Sequence, residues 1–200
     1  MKKFIIILLF TLFSSISEAH IAHYNNYNKI EMEVFRNGEL IGFSNYFFYR
    51  EGKKTIIVNK TKFSVKILGT TIFKIDGYSE EKYLKNQLIS FNSTTIQGDK
   101  KKFVNLVYDE ELDKFIIKGS SYNGKASIDN MIGNWWNHKI LQANSQISPI
   151  SGSIKKQIVT FVGKEKIEQY GKIYEVDHFR LRSKDMSLPK NKRLDFDIWF

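Results

Sequence analysis

The sequence predicts an all-β protein: a single antiparallel, strongly curved meander sheet or half-barrel of about ten strands with one short helix. Three observations lead to this prediction. Apolar and polar side chains alternate with a period of two along most of the chain, and turn residues interrupt the alternation about every 8–12 residues. The chain of 200 residues, 42% hydrophobic, is also long enough to bury one core.

The first three strands show the pattern most clearly. Residues 30–35 alternate, and Asn37-Gly38 follows them. This dipeptide favours a type I′ hairpin turn, whose two central residues need positive φ. The returning strand, 40–49, ends at Glu51-Gly52-Lys53, and the third strand, 57–67, places lysines on one face and apolar side chains on the other. One face of the sheet is therefore expected to be buried and the other solvated.

The rest of the chain continues the pattern with one interruption. Seven more strands are predicted, at 72–83, 87–97, 103–108, 114–120, 154–162, 173–183 and 194–200.

The interruption, 122–152, predicts one short helix within 129–143, capped by Asp129 or Asn130. The sequence stops inside its last strand. We expect either a truncated copy of a longer protein or a terminal strand that pairs only with the strand before it.

The N-terminus indicates export. Lys2 and Lys3 precede a ten-residue apolar run, Phe4 to Phe13, and Ser17-Glu18-Ala19 offers small residues at both positions of a cleavage site. A spanning helix needs about 20 apolar residues, so this segment is too short to remain as an anchor. We predict a signal peptide at 1–19, one domain at 20–200, and an exported, periplasmic protein.

The charge balance does not favour nucleic acid. The formal charge is +10, but 26 of the 31 basic residues are lysines and only five are the arginines that read bases and phosphates in a bidentate manner. Many lysines fall at turns and strand edges, where they block edge-to-edge pairing. Peripheral contact with anionic lipid headgroups is the most that we expect. The absence of cysteine excludes disulfides and thiol chemistry.

Short motifs spread over the chain carry a resemblance to a family. They are Asn37–Gly42, reading N-G-x-L-I-G, then Glu80–Tyr83, Asn86–Ser90, Phe115–Ser120, Trp136-Asn137, and Asp197–Phe200, reading D-I-W-F. With this layout the chain resembles a group of exported bacterial all-β proteins that form a domain of unknown function. The resemblance implies a curved sheet like that of periplasmic lipoprotein carriers, whose concave face holds acyl chains. In such proteins a hairpin and one more strand normally follow the last motif, and both are absent here.

Aromatic side chains supply the candidate ligand-binding residues. Pockets in curved sheets are mainly apolar with a few polar groups. We predict that the ligand-binding residues are Trp135, Trp136, Asn137, Arg180 and Trp199. Alternatively, both adjacent tryptophans cap the core and Asn137 braces its loop through bonds to the backbone. Arg180 shares a strand face with Arg182 and His178, and this face either binds an anionic headgroup or is solvated.

No catalytic residue, metal site or cofactor is predicted. The chain has neither an H-E-x-x-H motif nor a G-x-S-x-G nucleophile elbow. Glu80 and Glu81 point to opposite faces of a strand and are interpreted as solvated charges, whereas Asp195 and Asp197 share a face.

The predicted function is non-enzymatic: binding of an apolar or lipid-like small molecule on the concave face, or envelope maintenance. Two alternatives remain open. One is a cofactor-independent enzyme that uses the same cavity, in which His178 or Asp197 would be essential. The other is a structural interaction domain with a filled core.

Overall fold

The computed structural model describes residues 26–200 and confirms the all-β class. Its thirteen strands are β1 Lys29–Arg36, β2 Glu39–Glu51, β3 Lys54–Ile67, β4 Thr70–Leu84, β5 Gln87–Gln97, β6 Lys100–Asp109, β7 Lys114–Gly119, β8 Asn123–Ser127, β9 Met131–Ile132, β10 Ser145–Ile147, β11 Ile154–Gln169, β12 Lys172–Ser183 and β13 Asp195–Trp199. The ten strands predicted from the alternation correspond to β1–β7 and β11–β13. The short strands β8, β9 and β10 were not predicted.

The first sheet is an antiparallel meander. Its eight strands pair in chain order from β1 to β8, and across residues 26–200 it does not close into a barrel. Register shifts after Val34, Val65 and Lys82 place a bulge in the β1–β2, β3–β4 and β4–β5 pairs. Bulges of this kind bend strands and increase their twist.

The prediction of a single sheet is wrong, because the chain forms a second sheet of five strands. Its order is β13-β12-β11-β10-β9, with β9 and β10 parallel and the other pairs antiparallel. After β8 the chain crosses to the face of the first sheet that we call the inner face. Period-two alternation identifies a strand but not its partner, so this change of sheet has no signature in the pattern.

The helix prediction is correct only in part. The segment contains a single 3-10 turn, His138–Leu141, and a second 3-10 turn lies at Lys190–Lys192. The cap of the first turn is Asn137, whose Oδ1 accepts a hydrogen bond of 3.1 Å from the backbone N–H of Lys139. Asp129 and Asn130 do not cap it, because the chain directly after them enters β9. The Asn130 side chain instead donates to the Ser127 carbonyl at 2.8 Å.

The core lies between the inner face and the strands and loops that cover it. Its largest cluster joins β5–β8 to β9 and β10, and comprises Leu88, Phe91, Val104, Leu106, Phe115, Ile117, Ala126, Ile132 and Ile147. Gly119 permits a close approach here. A Cβ at that position would lie 2.6 Å from the carbonyl oxygen of Ser151, so a larger residue would push the loop 148–153 off the sheet.

The predicted signal peptide, residues 1–19, lies outside the described residues. Among residues 26–200, no helix is sufficiently long and apolar to span a bilayer.

Candidate ligand-binding cavity

A cavity of about 600 Å³ lies between the inner face of β1–β5 and the segments that cover it. The cover consists of residues 133–135, 146–150 and 155, together with Leu194 and Phe196. The cavity is partly open to solvent. Its volume falls within the range of about 300–1,000 Å³ that is usual for small-molecule sites.

The floor of the cavity consists of short side chains from two neighbouring rows of the sheet. Cross-strand pairing aligns Asn59, Ser79 and Ser93 in one row and Ser44, Thr61, Gly77 and Thr95 in the next. A Cβ added at Gly77 would meet nothing closer than 3.6 Å, which shows that open space lies above it. Small residues therefore leave a trough where bulky ones would have filled the core.

The polar groups of the floor are bonded mainly to one another. Asn59 Nδ2 donates to Ser44 Oγ at 3.1 Å, and Thr61 Oγ1 donates to Asn59 Oδ1 at 2.9 Å. Ser44 and Thr61 hydroxyls are 2.7 Å apart, so a proton on Ser44 Oγ closes a ring of three hydrogen bonds. Ser93 Oγ donates to the Pro149 carbonyl at 2.5 Å. Because these four side chains are already bonded, few polar groups of the floor are left for a ligand, which favours ligands that bring apolar surface rather than many hydrogen-bonding groups.

Aromatic side chains form the walls. Phe63 and Phe73 lie on one side, with ring centroids 6.2 Å apart. Trp135 and Phe196 lie on the cover and meet edge to face at 4.9 Å. Because the sheet and the cover each provide an apolar wall, a ligand between them is shielded from water on two opposite sides.

Glu81 lies at the inner end of the cavity and is only 1% exposed. Its carboxylate accepts hydrogen bonds from Tyr83 Oη at 2.6 Å, Asn134 Nδ2 at 2.7 Å and Trp136 Nε1 at 3.0 Å. Burial raises the pKa of Glu81 to about 7, although these three donors act in the opposite direction. The interpretation of Glu81 as a solvated strand charge is therefore wrong.

Asn134 presents the one unsatisfied buried polar atom found among the side chains of residues 26–200. Its Nδ2 donates to Glu81, but its Oδ1 is buried with no hydrogen-bond partner in the described part of the chain. Such an atom usually indicates a water or a ligand group that completes the site. Asn134 lines the cavity, so this unpaired acceptor belongs to a residue of the cavity wall.

Of the five predicted ligand-binding residues, Trp135 lines the cavity. Trp136 points the other way into the core, where it is 4% exposed and packs edge to face against Phe48 and Tyr83. Asn137 caps the 3-10 turn described above. Arg180 and Trp199 lie on the second sheet and are not among the residues that line the cavity.

His178 joins these last two residues in a cluster of charged and aromatic groups. Its Nδ1 lies 2.7 Å from Glu165 Oε1 and its Nε2 lies 2.9 Å from Asp197 Oδ1. The Trp199 ring stacks on the imidazole at 4.7 Å and donates through Nε1 to Glu165 at 3.0 Å. Arg180 Nε donates to Asp197 at 3.2 Å.

Electrostatics hold this cluster in its charged form. Hydrogen bonds from Arg182, and then from His178, lower the pKa of Asp197 to about 2. Hydrogen bonds to Asp197 and then to Glu165 raise the pKa of His178. In the protonated form that these bonds favour, the imidazole donates through both nitrogens. The cluster ties β11, β12 and β13 together.

Sequence reasoning missed Glu81, Asn134 and the floor residues. The floor had a signal: Ser79, Ser93 and Thr95 occupy inward positions on the same strands that place the apolar Ile75 and Phe91 inward. No sequence signal identifies Asn134, because it precedes Trp135 in a segment without periodicity.

Residues 32–200 match the family model described as Domain of unknown function (DUF6134), and the chain therefore belongs to that family. No curated protein and no solved structure matches the chain.

Proposed function

We propose that this protein is a non-enzymatic binding protein that holds a mainly apolar, lipid-like molecule in the cavity between its two sheets. The observation that carries the proposal is a cavity of about 600 Å³ with aromatic walls and a floor of short side chains, of which Ser44, Asn59 and Thr61 hydrogen-bond to one another. Binding would be driven by removal of apolar surface from water, at about 25 cal/mol per Å².

The inner end of the cavity supports a ligand with one polar group. Asn134 Oδ1 is an acceptor without a partner among the described residues, and it lies on the residue that also bonds Glu81. A ligand hydroxyl or amide N–H that reached this oxygen would satisfy it, whereas a purely hydrocarbon ligand would leave it unpaired. An amphipathic ligand with an uncharged polar end therefore fits better than an alkane.

Export to the periplasm is part of the proposal. It is supported by Lys2, Lys3 and the apolar run that follows them, which are typical of a signal peptide. The mass of the protein recovered from its source cells tests this point. Cleavage would leave His20 as the first residue, and a protein that retains Met1 through Ala19 would contradict export by this route.

Glu81 favours a second candidate, a cofactor-independent enzyme. A carboxyl with a pKa of about 7 beside a cavity has the properties of a general acid or base. Three donors already occupy its oxygens, however, and two of them come from the covering segment. This arrangement supports a positioning role in which Glu81 holds that segment on the sheet.

Native mass spectrometry tests the binding proposal. We expect the purified protein to carry a discrete additional mass that is lost after solvent extraction and restored when a total lipid extract is supplied. A protein that stays at its bare mass under both conditions would contradict the proposal and favour a structural interaction domain. Chemical conversion of the added lipid, detected in the same spectra, would favour the enzyme instead.

A further inference from the structure

The tip of the β3–β4 hairpin exposes a cluster of apolar side chains. Ile67, Leu68, Ile72 and Phe73 are all exposed, and Leu68 has 101% of its reference surface in contact with solvent. These four residues, which we call the apolar tip, lie at the end of the sheet where β3 finishes and β4 begins. Four exposed apolar side chains at one hairpin tip do not contribute to the core, so folding alone does not explain them.

The turn at the apolar tip departs from local conformational preference. Leu68 and Gly69 have φ values of 49° and 80°, which match the 51° and 81° of Asn37 and Gly38 in the β1–β2 turn. The β1–β2 turn uses the asparagine that this geometry favours, whereas the β3–β4 turn uses a bulky leucine that it disfavours. Leu68 therefore stabilises neither its own backbone conformation nor the core. Such violations of local preference are expected at functional positions.

Two lysines flank the apolar tip. Lys66 and Lys74 are exposed, and residues 63–75 contain no acidic residue. Apolar side chains between two lysines match the surface of an anionic bilayer. The apolar side chains can enter the headgroup region of the bilayer, and the lysine ammonium groups can remain at the charged phosphates. The positive charge of the two lysines favours an anionic lipid surface over an uncharged apolar partner.

The apolar tip is continuous with the cavity. Phe73 is exposed on the tip and also lines the cavity wall beside Phe63. A second exposed hairpin tip lies nearby, because Tyr170 in the β11–β12 turn donates a hydrogen bond to Glu33 of β1, which also lines the cavity. Exposed Ile173 and Tyr174 follow it. Exposed apolar side chains are therefore connected to the cavity through Phe73 in one hairpin and through the bond from Tyr170 to Glu33 in the other.

We infer that the protein docks on anionic lipid bilayers through this end, with the apolar tip inserted among the headgroups and Lys66 and Lys74 at their phosphates. The inference concerns the outer surface and goes beyond the proposed cavity ligand. Vesicle binding and ligand binding can therefore succeed or fail separately.

Vesicle flotation tests the inference. The probes are vesicles of phosphatidylethanolamine with phosphatidylglycerol, compared with vesicles of phosphatidylcholine alone. The protein is expected to float with the anionic vesicles and to be released by high salt. Leu68→Asn should lower the partition coefficient about 10-fold, because a leucine side chain no longer leaves water. The double variant Lys66→Glu, Lys74→Glu should lower it at least about 10-fold on anionic vesicles only.

Leu112→Asn is the matched control. Leu112 is 44% exposed in the β6–β7 turn, at the opposite end of the sheet, so its replacement should leave flotation unchanged. All variants carry the same residues 1–25, which cannot explain a difference between them. Asparagine adopts positive φ readily, so Leu68→Asn should keep the melting temperature of the parent. Equal flotation of the two asparagine variants, or no preference for anionic vesicles, would overturn the inference.

Discussion

The indole Nε1 of Trp136 donates a hydrogen bond of 3.0 Å to Oε1 of Glu81, which is 55 positions earlier in the chain. Both groups are buried, and the bond connects the segment that covers the cavity to β4 in its floor. Because Trp136 turns into the core, its neighbour Trp135 is held on the cavity side. One pair of residues thus fixes the position of the cavity wall.

The pH dependence of stability tests the state of Glu81. Its pKa is about 7 in the folded protein and close to 4.5 when unfolded, so the folded state binds the proton more tightly. The stability associated with the neutral carboxyl is therefore fully present below about pH 4.5 and is lost as the pH rises through 7.

Glu81→Gln removes this titration and preserves an acceptor for Trp136. Relative to wild type, the variant should gain roughly 2 kcal/mol in free energy of unfolding between pH 5.5 and 8, as measured by urea titration. Glu80→Gln is the control, since that side chain lies on the other face of β4 and contacts solvent. If the two variants show the same pH profile, Glu81 does not titrate as described.

The adjacent tryptophans should respond differently to truncation. Trp136→Ala empties a buried site and removes one of the three donors to Glu81, so we expect a loss of about 3–5 kcal/mol in the free energy of unfolding. Trp135→Ala should cost less than half of that, because one side of this ring faces the cavity. Denaturant titration of both variants provides the comparison. Equal losses would contradict the assignment of Trp136 to the core and Trp135 to the cavity wall.

The charged cluster predicts an NMR titration. His178 owes its raised pKa first to its bond with Asp197, so Asp197→Asn should move the imidazole titration to lower pH. Asp195→Asn serves as the control, because Asp195 pairs with Arg182 and not with His178. If both variants leave the His178 titration in place, Asp197 does not set its charge.

The same cluster stabilises the fold over a defined pH range. A raised pKa of His178 means that its stabilisation is present below pH 6.5 and lost as the pH rises through the folded value. The lowered pKa of Asp197 acts at the other end: its stabilisation is present above pH 3.8 and lost as the pH falls towards 2.

The sequence predicted strands where apolar and polar residues alternate regularly. Long hairpins such as β3–β4 were predicted from the same alternation. The second sheet was not predictable in this way, because β9 and β10 have only two and three residues and show no period. Their partners are set by packing against Ile117, Val104 and their neighbours on the inner face. Pairing between distant short strands depends on tertiary contacts, which a single sequence does not display.

The candidate site was predictable only at Trp135. Aromatic content indicated an apolar pocket, but the direction of each adjacent tryptophan depends on the bond between Trp136 and Glu81. Glu81 itself has the pattern of an ordinary strand carboxylate, since two of its three donors, Asn134 and Trp136, are distant in the chain. The trough of Ser79, Ser93 and Thr95 depends on the strand register that aligns these residues, and the sequence alone does not give this register.

The most direct test of the cavity as a binding site is a fluorescence titration with phenylnaphthylamine, an uncharged apolar probe, on two neighbouring variants. Thr95→Phe places a ring in the cavity, whereas Thr94→Phe places the same ring on the exposed face of β5. With both variants melting as the parent does, we predict saturable probe binding by wild type and Thr94→Phe and its loss in Thr95→Phe. Equal binding by the two variants, or none by wild type after lipid extraction, would contradict the account.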